Sequence, residues 1–111
     1  MEKLVRDRIP EIIMAKGEPC VTRIAESDKE YEDFLKKKLS EEIDEFYAAG
    51  GIQQIEEMAD IVEVIRAIQE HYKLPTSEVE RVRKEKLQKR GGFTNKIIWK
   101  DIGDYYGKKT K

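Results

Sequence analysis

The chain has 111 residues, enough for one domain with one modest core. Charged residues make up 41% of it, but 22 lysines and arginines nearly balance 23 aspartates and glutamates, for a formal net charge of −1. That balance argues against a nucleic-acid polymer as partner, and the single cysteine, Cys20, excludes an internal disulfide.

Only the stretch from Arg81 to Lys111 is locally basic. No apolar run reaches the length of a membrane span. The opening MEKLVRDRIP lacks the apolar segment of a signal peptide. A cytoplasmic protein is the expectation, one domain over residues 1–111.

In chain order, Asp7 reads as an N-cap with Pro10 in the first turn of a short helix. Ile9, Ile12, Ile13 and Ala15 support that helix, and Gly17 ends it. EPCVTRIA (18–25) alternates weakly and reads as extended, a short β element. Ser27 then caps a long helix that reaches Ala48 and stops at Gly50-Gly51. A second long helix covers Ile52 to Tyr72, and Pro75 forbids its continuation. Thr76 or Ser77 caps a further helix, acidic at its start and basic at its end, as the helix dipole favours. Gly91-Gly92 closes it. FTNKIIWKDI reads as a second extended segment, and the tail, about 101–111, as loosely ordered.

The two long helices carry the chemistry. At 100° per residue, Tyr31, Phe34, Leu35, Leu39, Ile43 and Phe46 form one apolar arc. Glu42, Glu45 and Lys38 project inside it, whereas Asp44 points away. On the next helix Met58, Ile61, Ile65, Ile68 and Tyr72 form a stripe widened by Val62 and Val64. Glu57 falls inside this stripe and Asp60 at its edge, with Glu56 outside. Carboxylates on a core-facing arc are costly unless paired or metal-bound. An antiparallel hairpin makes these four converge.

Four hard oxygen ligands without histidine or cysteine suit Mg²⁺, with Mn²⁺ as the alternative. Metal ions that clamp phosphate oxygens are a recurrent solution to phosphoanhydride hydrolysis. The residues alone therefore suggest a Mg²⁺-dependent hydrolase of that bond. Ordinary salt bridges with neighbouring lysines are the competing account of the same acids.

The pattern EExxE (Glu41, Glu42, Glu45), followed after a short hairpin by EExxD (Glu56, Glu57, Asp60), resembles the all-α nucleoside-triphosphate pyrophosphatase superfamily. That superfamily includes MazG proteins, dimeric dUTPases and phosphoribosyl-ATP pyrophosphohydrolase. KLVRDRIPEII and KEKLQKRGGF look like its house-cleaning, MazG-like branch, and the resemblance covers residues 2–100. It implies cleavage between the α- and β-phosphates of a nucleoside triphosphate, giving the monophosphate and pyrophosphate. It places the metal on Glu42, Glu45, Glu57 and Asp60. Glu41 beside them either supports a ligand or orients the attacking water. Phosphoribosyl-ATP hydrolysis in histidine biosynthesis is the nearest rival, and a non-catalytic helical dimer binding a nucleotide or protein is the rival from another class.

Such a substrate needs cations for its phosphates. Lys38, four residues before Glu42, is the first choice, and with Glu41 and Glu42 it completes the catalytic candidates. Lys86 and Arg90 share a helix face, as do Arg83 and Lys86. Lys3, Arg6 and Arg8 come from the N-terminus. His71 has no ligand partner one turn away and reads as a surface or cap residue. Cys20 reads as a small semi-buried residue. Trp99, Tyr105 and Tyr106 read as packing or interface aromatics, with base stacking as the alternative.

The expected architecture is mainly all-α. A helical hairpin is joined by a third helix and a short N-terminal one, with small extended or β segments at the ends. One hairpin buries too little alone, so a homodimer forming a four-helix bundle is expected, a tetramer being the alternative.

Overall fold

The structure is a computed structural model that describes residues 1–103. It contains four helices, α1 (Ile9–Ala15), α2 (Asp28–Ala48), α3 (Gln53–His71) and α4 (Thr76–Arg90), and no strand among the described residues. The all-α expectation is met. The two extended segments do not become β structure: neither finds a second segment with which to form a ladder. The second begins instead with a turn, Lys96 N–H donating to the Phe93 carbonyl at 3.1 Å. The tail expected to be loosely ordered, with Tyr105 and Tyr106, lies from residue 104 onward outside the described residues.

The chain divides into two compact units, Met1–Thr76 and the part from Ser77 on. In the first, α2 packs against α3 as an antiparallel hairpin. Ser27 caps α2 as expected, its hydroxyl accepting the Glu30 N–H at 3.1 Å. The Glu30 carboxylate in turn accepts the Glu26 N–H at 2.9 Å. Residues 49–52 join the helices, with Gly51 at φ +60° making the left-handed bend.

The ends of α1 and α3 are alike. Gly17 follows α1 at φ +82°, with Glu18 N–H reaching back to Ile13 and Gly17 N–H to Met14. This double closure satisfies carbonyls that the last helical turn leaves open. Lys73 and Leu74 repeat it on Glu70 and Gln69, although Lys73 must adopt φ +57° with a Cβ in place. Two expected caps shift. Arg8, not Asp7, occupies the N-cap of α1, and no side chain caps it. Thr76 is already helical, so it does not stand before α4 as a cap.

The hairpin core is small. Leu35 (2% exposed) and Val64 (8%) are the buried apolar residues among those described. Tyr31, Phe34, Leu39, Phe46, Ile61 and Ile68 are half-buried around them. The expected stripe of α3 therefore splits. Ile61, Val64 and Ile68 face inward, while Met58, Val62, Ile65 and Tyr72 remain exposed, as does Ile55 one turn earlier. Ile43 and Tyr47 are exposed on α2. A single neighbouring helix covers only one arc of α3, and the rest of its apolar surface is left open.

In the second unit, α4 is held by pairs along its own surface. Arg81 bridges Glu78 and Glu85, and Arg83 pairs with Glu80. Each such pair stabilises a helix by about 0.2–0.5 kcal/mol. Trp99 is 96% exposed and anchors no core.

Candidate metal centre

Glu42 lies in the middle of α2, one turn after Lys38, on the face toward α3. Burial leaves it 5% exposed. Its Oε1 lies 3.1 Å from Lys38 Nζ, but its Oε2 is buried and has no hydrogen-bond partner. Glu57, in the first turns of α3, also keeps a buried Oε2 without a partner. Asp60 follows one turn later. Glu42, Glu57 and Asp60 each contribute an oxygen to a group whose members lie within 4.8 Å of one another. Oxygens opposite each other on a hard divalent cation are about 4–5 Å apart, at bond lengths of roughly 2.0–2.6 Å. The orphaned buried oxygens and the all-carboxylate donor set fit such a cation.

Glu45, the fourth expected ligand, is exposed and stands outside this triad. It lies beside Glu42. Burial pushes the Glu42 carboxyl above the usual carboxylate range against the pull of Lys38, and Glu45 adds to the upward push. Asp44 and Glu56 are exposed, in line with their helical phase.

Two cations face the triad directly. Lys38, only 17% exposed at its side chain, lies 3.1 Å from Glu42 and 3.7 Å from Glu41. Arg6 arrives from the N-terminal segment, its Nη2 donating to Asp60 Oδ1 at 3.0 Å. Lys3 of the same segment sits 3.8 Å from Glu41. Three residues of extended chain span about 10 Å, so Lys3 reaches α2 while Arg6 reaches α3. A cleft of about 440 Å³ opens between Met1–Leu4 and the α2 residues Phe34, Lys37, Lys38 and Glu41. Arg23 anchors the start of this segment through Glu2, which it grips together with Glu30.

Of the expected phosphate-binding residues, Lys38, Arg6 and Lys3 thus gather at the acidic group. Lys86, Arg83 and Arg90 belong to α4, in the other unit, where Arg83 pairs with Glu80. The surface reading of His71 is overturned. His71 is half-buried, with Nε2 3.0 Å from Glu32 Oε2 and its ring edge-on to Tyr31 and Tyr72. Cys20 is half-buried, as expected. The polar residue missed from sequence is Gln69, 6% exposed, whose Oε1 accepts from Arg66 at 2.8 Å. Helical phase gave no signal for it, since one heptad earlier stands Val62, which is exposed.

No family model and no solved structure matches the chain. A stretch of 49 residues, 44% of this chain, is 53% identical to an uncharacterized protein of Mycolicibacterium smegmatis, and it covers 49% of that relative. The matched stretch thus spans about half the length of that relative.

Proposed function

We propose that the protein is a Mg²⁺-dependent nucleotide pyrophosphohydrolase of the MazG-like kind, Mn²⁺ being the alternative ion. The observation that carries the reading is Glu42. It is a nineteen-twentieths buried carboxylate with a free oxygen, set among two further carboxylates of the facing helix. A bare acidic face would be pushed apart. A divalent cation offsets the repulsion and, when bound, supplies a Lewis acid for phosphate oxygens.

The chain's own residues supply the rest. Glu42, Glu57 and Asp60 would hold the ion, with Glu45 beside Glu42 but outside the triad. Lys38 and Lys3, at the edge of the cleft, grip the polyphosphate. Water adds to the α-phosphorus, the bond from that phosphorus to the bridging oxygen breaks, and pyrophosphate leaves with the electron pair. The position of Glu41, half-exposed between Lys3 and Lys38, supports a role in orienting that water or in supporting a ligand.

The active form is proposed to be a homodimer closing into a four-helix bundle. The uncovered apolar residues Ile55, Met58, Val62 and Ile65 of α3 recur at three- and four-residue spacing, with Tyr72 one heptad beyond Ile65, and this spacing supports a bundle seam.

The test is pyrophosphate release from a panel of nucleoside triphosphates and phosphoribosyl-ATP, with and without Mg²⁺. Metal-dependent release that disappears in Glu42→Gln/Asp60→Asn supports the reading. Release that survives in the double variant, or no release from any member of the panel, sinks it.

A further inference from the structure

The N-terminal segment places a guanidinium where the cation would bind. Arg6 donates to Asp60, one of the three carboxylates of the triad, while Lys38 pairs with Oε1 of Glu42, and the buried Oε2 atoms of Glu42 and Glu57 have no hydrogen-bond partner. Resting on the cation reading of the site, we infer that Arg6 is an exchangeable counter-ion. It neutralises Asp60 while the metal is absent, gives Asp60 up when the metal binds, and then turns to the phosphate that arrives with it.

Three features support this exchange. The Arg6 side chain is more than half exposed, so it is free to swing without repacking a core. An exposed ion pair of this kind is a weak latch, which a divalent ion can displace. The chain before it stays tied: Lys3 remains at Glu41, and Glu2 at Arg23. The released guanidinium therefore stays beside the cleft, where its planar fork suits two phosphate oxygens. Lys38 is different. It is largely buried between Glu41 and Glu42, without the freedom to swing that Arg6 has.

The test is calorimetric titration of the full chain with MgCl₂ alone, comparing wild type, Arg6→Gln, Lys3→Gln and Glu57→Gln. Removal of the competitor is expected to tighten Mg²⁺ binding in Arg6→Gln by about two- to fivefold. Lys3→Gln, which removes a charge from Glu41 outside the triad, is expected to change it by less. In saturating Mg²⁺ a non-hydrolysable α,β-methylene nucleoside triphosphate is then titrated. Arg6→Gln is expected to bind it on the order of tenfold more weakly, with Arg6→Lys intermediate.

Equal or weaker Mg²⁺ binding in Arg6→Gln overturns the exchange, as does an equal gain in Lys3→Gln. Unchanged analogue affinity overturns the transfer to phosphate. In all of these the site itself stands, because wild type still binds Mg²⁺ and Glu57→Gln does not. Absence of Mg²⁺ binding in wild type and Arg6→Gln alike marks the failure of the cation reading, and the exchange falls with it.

Discussion

Nε2 of His71, the last residue of α3, lies 3.0 Å from Oε2 of Glu32 in the second turn of α2, with both side chains half-buried. The contact joins the end of the hairpin farthest from its connecting loop. Tyr31 and Tyr72 pack their rings edge-on against the same imidazole. His71→Ala should therefore cost about 1–2 kcal/mol of stability. In a double-mutant cycle with Glu32→Ala, part of that cost should appear as coupling. Chemical denaturation measures both, and additive losses would mean that the pair contributes nothing.

The acidic triad predicts a metal-dependent melt. Mg²⁺ bound only by the folded chain stabilises it by about 2.7 kcal/mol at a hundredfold excess over Kd. The melting midpoint should rise by several degrees in Mg²⁺ and return on addition of EDTA. Glu57→Gln should abolish the rise without lowering the metal-free midpoint, since it removes one of the mutually repelling charges. A rise of the same size in Glu57→Gln would place the metal elsewhere.

The start of α2 predicts a loss of stability in acid. Hydrogen bonds from Arg23 and from the Glu26 N–H hold the Glu30 carboxyl at about 2, against an ordinary value of 4.5, and Arg23 also draws Glu2 down. Both folded values are lowered. Their stabilisation is thus present above pH 4.5 and is lost as pH falls from there toward 2. Wild type should lose more in melting midpoint between pH 5 and pH 3 than Arg23→Ala does. Parallel curves for the two proteins would refute it.

Lys73 predicts a gain. It closes α3 at φ +57°, a conformation that costs a residue with a Cβ and does not cost glycine. Gly17 fills the equivalent position after α1. Lys73→Gly should raise stability by about 0.5–1 kcal/mol, read by differential scanning fluorimetry. A lowered midpoint would show that the unfolded chain's gain in freedom outweighs the relief.

The open face of α3 predicts the state of assembly. Val62→Lys or Ile65→Asp, each at an exposed position of the apolar seam, should convert a dimer into a monomer of lower stability. Sedimentation equilibrium distinguishes the two states. A dimer that persists in both variants would locate the interface on another surface.

Helix ends were legible where one residue's chemistry sets them. Ser27 supplies a hydroxyl to a free N–H, Gly51 accepts a positive φ, and Pro75 lacks a donor. The β expectation failed because strand formation depends on a second strand, and local alternation says nothing about one. The cap at Asp7 failed by one residue: the helix starts after Arg8, leaving Asp7 one position too early.

By itself the sequence determined the helical hairpin and the phase of its acids. A fixed 100° per residue sets Glu42, Glu57 and Asp60 against Asp44 and Glu56 before any neighbour is known. Only the tertiary structure decided which arc of α3 is covered, because that depends on the rotation of one helix against another. The same non-local packing left Glu45 outside the triad, set a half-buried His71 against Glu32, and carried Arg6 to Asp60, 54 positions away. Periodicity fixes angles within a helix, but it has no term for a segment that crosses two of them.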